Sequence, residues 1–263
     1  MSESCRAPGD DVVVVVPTYN ERDSLPRLVE RLRDVPVVGL RVLVVDDNSP
    51  DGTGEVADAL AAATDGFVSV LHRDVKDGLG RAYVHGMQTA LDAGAAVVVQ
   101  MDADLSHPPD ALPRMIAELA RPGVDVVVGS RYVAGGSVSD TWPVRRRALS
   151  RAANAYLRVT LGLPVRDATS GFKAWCAGAL RRLDLGGVAS NGYAFQIELG
   201  DACRSHGLGV AEIPIHFGNR TEGRSKMTLA VQYESLLLPW RLRSRARRGL
   251  ESGSAELVTT GAR

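Results

Sequence analysis

The sequence has no apolar run of about 18 residues, the minimum for a membrane-spanning helix, and no excess of either charge. Its 31 basic residues balance its 31 acidic ones, which argues against a general nucleic-acid binder with a basic face. Any basic site must therefore be local. The three cysteines, Cys5, Cys176 and Cys203, are odd in number and lack the paired short spacing of a zinc site, so a reduced, cytoplasmic setting is expected. The first apolar run, Val12–Val16, is too short for a signal segment. A soluble or peripheral protein is expected, and 263 residues with 45% apolar content suffice for one substantial core.

What is present is an alternation. Short β-branched runs at Val12–Val16, Val42–Val45, Phe67–Leu71, Val97–Met101 and Val124–Val128 are separated by segments with helical spacing, such as Leu25, Leu28, Val29 and Leu32. This pattern predicts βαβ units, giving an α/β, Rossmann-like, mostly parallel sheet flanked by helices. Ligands of such sheets bind beyond the carboxyl ends of the strands. After Arg131 the sequence predicts a Gly-rich loop, a helix around Arg147–Leu161, a turn at Ser170–Gly171–Phe172, a helix near Phe195–Cys203 and a strand at Val210–Ile215. Residues 1–11 and 249–263 are expected to be disordered, with one catalytic domain over 12–228 and a basic amphipathic segment over 229–248.

The loops after three strands are unusually polar. Asp102-Ala103-Asp104 follows the Val97–Met101 run directly, and two carboxylates at a strand's end suit a Mg2+ or Mn2+ ion that also takes ligands from substrate phosphates. Pro17-Thr18-Tyr19-Asn20-Glu21 follows the first strand. There Pro17 is expected to stop the strand, Tyr19 can pack on a base, and Glu21 can accept from it; Asn20 and Ser24 also suit helix capping. In Asp46-Asp47-Asn48-Ser49-Pro50-Asp51-Gly52-Thr53, turn chemistry explains Asn48 to Gly52 but does not ask for Asp46 and Asp47, and Asp47 is placed to accept from a base or ribose. Gly78-Leu79-Gly80 begins a dinucleotide fingerprint, but Tyr83 stands where its third glycine belongs.

Together with Gly129-Ser130-Arg131-Tyr132, Ser170-Gly171-Phe172 and Arg220 through Ser225-Lys226, these blocks resemble the polyprenol-phosphate (dolichol-phosphate) mannosyltransferases of glycosyltransferase family 2. The resemblance covers roughly residues 12–228. It implies a GT-A fold, GDP-mannose as donor, a polyprenyl monophosphate as acceptor, and inversion at the anomeric carbon. It places Pro17, Tyr19, Glu21, Val45 and Asp47 at the nucleoside, and Asp102, Ala103 and Asp104 at the diphosphate and metal. It also makes Arg131 a donor-site arginine, makes Arg220 and Lys226 a pair closing over the phosphates, and matches Arg146 and Ser150 to the acceptor phosphate. Four residues apart, those last two share one helix face. Many family members carry Gln where this chain has Ser106, so a metal ligand there would be shorter or replaced by water.

Glu198 is the remaining carboxylate for an accessory role, or a structural partner for a cation. The same fold using UDP-glucose, a non-catalytic nucleotide-sugar-binding subunit and an NAD-dependent oxidoreductase are the alternatives; the incomplete glycine fingerprint weakens the last. Leu236-Leu237-Leu238-Pro239-Trp240, followed by Arg241, Arg243, Arg245, Arg247 and Arg248, suits an anionic membrane surface, where each arginine adds about 1 kcal/mol. It equally suits docking on an integral membrane partner. A peripheral position on a cytoplasmic membrane face follows from either reading.

Overall fold

The computed structural model describes residues 11–188, 190, 193–219 and 239–240. In chain order the elements are β1 (Val12–Thr18), α1 (Ser24–Arg33), β2 (Leu40–Asp46), α2 (Thr53–Ala63), β3 (Val68–His72), α3 (Leu79–Asp92), β4 (Val97–Gln100), α4 (Leu112–Leu119) and β5 (Val126–Ser130). Then follow β6 (Ser137–Val138), α5 (Val144–Leu161), β7 (Lys173–Cys176), α6 (Ala177–Arg181), α7 (Tyr193–Ser205), β8 (Val210–Pro214) and β9 (His216–Phe217).

Seven strands form one sheet in the order β3-β2-β1-β4-β7-β5-β8, parallel except for β7. Strand alternation sends neighbouring valines to opposite faces. Val12, Val14 and Val16 join α1 (Leu25, Leu28, Leu32) and α4 (Leu112, Met115) on one side. Val13 and Val15 join α3 (Ala82, Tyr83, Met87) and α7 (Phe195, Leu199) on the other. With both faces covered, the strands read as continuous apolar runs, each fully buried Val or Leu contributing about 1.5–3 kcal/mol. Gly86 lets α3 approach the sheet closely: a Cβ there would collide with Val15 and stand 2.8 Å from Val45 Cγ2.

Three features differ from the sequence expectations. Pro17 does not end β1, which pairs with β2 through Pro17 and Thr18. Its missing N–H would point towards β4, whose pairing with β1 stops at Val15–Gln100, so no ladder bond is lost. Secondly, Ser170–Phe172 is not only a turn but the entry to β7, an antiparallel strand wedged between β4 and β5. The buried indole of Trp175 on β7 donates to Gln100 Oε1 at 2.8 Å. Thirdly, Cys176 is disulfide-bonded, which the odd and widely spaced cysteines did not suggest. Cys203 is free and buried, and burial pushes its thiol up to about 12. No helix among the described residues is long and apolar enough to cross a membrane.

Candidate active site

The loops after β1 and β2 are tied to each other. Asn20 turns the chain with a positive φ of 59°, and its amide donates to Ser49 Oγ at 3.2 Å. The Glu21 amide donates to Thr53 Oγ1 at 3.0 Å. Asp46 accepts from the Ser49 amide (3.1 Å), the Ser49 hydroxyl (2.6 Å) and the Thr18 hydroxyl (3.1 Å). Asp46 is thus turn chemistry after all, a correction to the expectation that the turn does not ask for it. Helix α1 is not capped by Asn20 either: its N-cap is Asp23, which makes no side-chain capping bond, while Ser24 donates to Glu21 Oε2 at 2.7 Å.

Asp47 projects from the end of β2 and meets Arg73, with which it forms a nearly buried ion pair. Burial outweighs the Arg73 charge and raises the Asp47 carboxyl above its ordinary value. Beside it, Lys76 Nζ lies 3.5 Å from the centre of the Tyr19 ring. Pro17 and Val45 pair across β1 and β2, and the Val45 side chain is fully buried, so only its main chain can face a nucleoside. All five residues placed at the nucleoside therefore gather at one edge of the sheet.

Past β4, Asp102 is held at two points. The Tyr83 hydroxyl donates to its Oδ1 at 2.7 Å, and its own amide donates to His107 Nδ1 at 3.1 Å. Burial, then the Asp102 charge, holds the Tyr83 phenol well above its ordinary value; burial lowers that of the His107 imidazole. Asp104 accepts from the Ser106 amide at 3.0 Å, with Leu105 between them at φ 63° and Ala103 buried. A Cβ on Gly171 would stand 3.4 Å from Asp102 Oδ2, so the missing side chain leaves a cradle beside that oxygen. Among the described residues no group of three or more His, Cys, Asp or Glu could hold a metal. Two carboxylates at a strand's end fit a Mg2+ or Mn2+ ion completed by substrate phosphates and water.

Past β5, Arg131 is buried and forks onto Asp167: Nε to Oδ2 at 2.7 Å and an NH2 to Oδ1 at 2.6 Å. The Arg131 amide also donates to Oδ2 at 2.9 Å. Arg146 and Ser150 lie on α5. The Arg146 guanidinium sits 3.7 Å from the Trp142 ring centre, and Ser150 accepts from the Tyr132 hydroxyl at 2.6 Å. Ring contacts run from Trp142 to Phe217 (5.7 Å), to His107 (5.5 Å) and to Phe172 (5.2 Å). They link the segment just before α5 to the Asp102 loop. Glu198 accepts from the Ser190 amide at 3.0 Å, a structural contact. Arg220 and Lys226 lie outside the described residues.

Residues 13–184 match the sequence family Glycosyl transferase family 2. This chain belongs to that family. The family-2 chain is 44% identical over 241 residues to the polyprenol monophosphomannose synthase of Mycolicibacterium smegmatis, covering 90% of this chain and 89% of that protein. It is 45% identical over 226 residues to the undecaprenyl-phosphate mannosyltransferase of Micrococcus luteus, covering 86% and 91%. Among solved structures, its fold resembles glucosyl-3-phosphoglycerate synthase from Mycobacterium tuberculosis, in complex with Mn2+, UDP and glucosyl-3-phosphoglycerate. That match has TM-score 0.63 and 23% identity, covering 90% and 80% of the two chains. A mannosyltransferase from Pyrobaculum calidifontis, in complex with GDP-Man and Mn2+, matches with TM-score 0.55 and 19% identity, covering 97% and 81%. These likenesses show the GT-A architecture.

Sequence reasoning missed Asp167, His107 and the role of Tyr83. Each carried a weak signal. Asp167 stands three residues before Ser170, His107 three after Asp104, and Tyr83 reads, in sequence, only as a failed glycine.

Proposed function

We propose that this glycosyltransferase moves mannose from GDP-mannose to a polyprenyl monophosphate with inversion, giving polyprenyl-phosphate mannose and GDP. The observation that carries the reading is the likeness to two lipid-phosphate mannosyltransferases over nearly the whole chain. The site geometry is compatible with it. Tyr19, Glu21 and Asp47 would meet the nucleoside. Asp102 and Asp104 would hold a Mg2+ or Mn2+ ion, which when bound supplies positive charge to the departing diphosphate.

The acceptor is already an anion near neutral pH. One of its phosphate oxygens attacks the anomeric carbon as the bond from that carbon to the GDP oxygen breaks, so the step needs positioning and charge compensation more than a base. Arg146 and Ser150, one helical turn apart on α5, would grip the acceptor phosphate, and Tyr132 orients the Ser150 hydroxyl. Arg131, whose charge is matched by Asp167 in a buried fork, would hold the donor-side loop in shape rather than offer it a free positive charge. Arg220 and Lys226 would close over the phosphates, and Ser106 could meet the metal only through its short hydroxyl or a water. We take residues 12–228 as the catalytic unit.

Labelled GDP-mannose and UDP-glucose, each supplied with a short polyprenyl phosphate and Mn2+, test the reading. GDP-mannose alone should label the lipid, as the β anomer. Faster transfer from UDP-glucose, or none from either donor, overturns it. For membrane attachment, a protein truncated after Pro239 should keep activity on a short acceptor and lose binding to anionic vesicles. Undiminished sedimentation with vesicles removes the arginine segment from that role.

A further inference from the structure

Tyr83 has no exposed surface, and its ring stacks on Phe195 with centroids 5.9 Å apart and planes 3° from parallel. The helix that carries it cannot shift. Three residues later, Gly86 seats α3 against Val15 and Val45; three residues earlier, a Cβ on Gly80 would stand 3.2 Å from Phe195 and closer still to the Ser190 carbonyl. A ring fixed in this way delivers its hydroxyl to one place, and that place is Asp102 Oδ1.

Asp102 is tethered through both its main chain and its side chain, the former by His107. Both carboxylate oxygens border the cradle left by Gly171, Oδ2 at 3.4 Å and Oδ1 at 3.6 Å from where a Cβ would stand, and with Oδ1 taken by the phenol it is Oδ2 that is left to meet a ligand there. We infer that Tyr83 is a positioning residue that fixes the rotamer of Asp102, so that Oδ2 is presented at the Gly171 cradle to the divalent cation and the diphosphate. The residue that spoils the dinucleotide fingerprint thus serves the cation site of a different chemistry. Groups that orient metal ligands through hydrogen bonds typically affect metal affinity by one to two orders of magnitude. The inference rests on the proposed cation reading of Asp102 and adds to it a residue that touches neither cation nor sugar.

A merely structural tyrosine, filling the space between α3 and α7, would lower stability without singling out the cation. Calorimetric titration of GDP into the full chain, once with Mn2+ and once with EDTA, separates the two roles. The ratio of the two dissociation constants reports how strongly the cation and the diphosphate assist each other. In Tyr83→Phe, which keeps the ring and loses only the hydroxyl, that ratio should fall roughly tenfold while GDP binding in EDTA is unchanged. Met87→Leu, a packing change on the same helix, should preserve the ratio. An unchanged ratio in Tyr83→Phe, or an equal fall in Met87→Leu, overturns the inference and leaves the cation reading standing. A wild-type ratio of one, with Mn2+ giving GDP no advantage, overturns the cation reading and this inference with it.

Discussion

The loops after β1 and β2 are joined by hydroxyl and amide bonds at exposed and part-buried positions, Asn20 to Ser49 and Glu21 to Thr53, and the second loop is braced by Ser49 to Asp46. Past β5 the chain is held instead by an ion pair, Arg131 with Asp167, whose side chains are only 6% and 0% exposed. The first kind of support is made of many small, replaceable contributions, each worth about 1 kcal/mol. The second is all or nothing, because removing one partner strands a buried charge. Asp102 lies between the two regimes, tethered by one buried phenol and one buried imidazole.

The largest effect should come from the carboxylates between these regimes. Asp102→Asn or Asp104→Asn should lower kcat on the order of a thousandfold with little change in Tm, and EDTA should reproduce the loss in the wild type; near-normal rates in either variant under chelation would remove the metal assignment. Next comes the all-or-nothing side. Asp167→Ala should cost about 3–5 kcal/mol in urea unfolding, and a cost under about 1 kcal/mol would mean that Arg131 finds water instead. On α5, Arg146→Ala should raise KM for the lipid phosphate roughly tenfold or more and leave KM for the nucleotide sugar nearly unchanged. Equal effects on both would take Arg146 out of the acceptor site. On the additive side, Ser49→Ala should cost only about 1 kcal/mol, seen as a modest rise in donor KM.

The smallest effect concerns Lys173, buried and donating to the Ser170 carbonyl at 2.8 Å. Burial lowers its pKa from 10.5 to about 8, so between these values the unfolded chain binds more protons and this group's contribution to stability grows as pH rises. Wild type should therefore gain about 1 kcal/mol over Lys173→Met between pH ~7.5 and ~9. A flat difference across that range would show that the ammonium is not desolvated.

The parallel strands were legible because burial on both faces writes Val runs into the sequence, and α1 because its apolar residues recur at 25, 28, 29 and 32. β7 was not legible: at four residues, with a buried lysine and a tryptophan, it has neither the alternation nor the length of a strand signal. The strand-end motifs announced the site's location, since an apolar run that opens into carboxylates and hydroxyls has reached the ligand edge of a parallel sheet. Asp46 misled because a carboxylate serving three local donors looks, in sequence, like one that the turn does not need. Asp167 and Tyr83 stayed hidden because their partners, Arg131 and Asp102, lie 36 and 19 residues away, a distance that only the fold closes.

The antiparallel course of β7 has a consequence for how the protein comes into being. Until residue 176 has been synthesised, β4 and β5 have no strand to join them, and each presents a bare edge to the gap. Such an edge is a Val-rich template open to foreign strands. Closing the gap requires Val97 to find Cys176 and Val126 to find Trp175, long loops that make this step slow relative to local helix formation. The entry of β7 also brings Gly171 beside Asp102. A nascent chain therefore completes the cradle beside Asp102 at the moment these two aggregation-prone edges disappear.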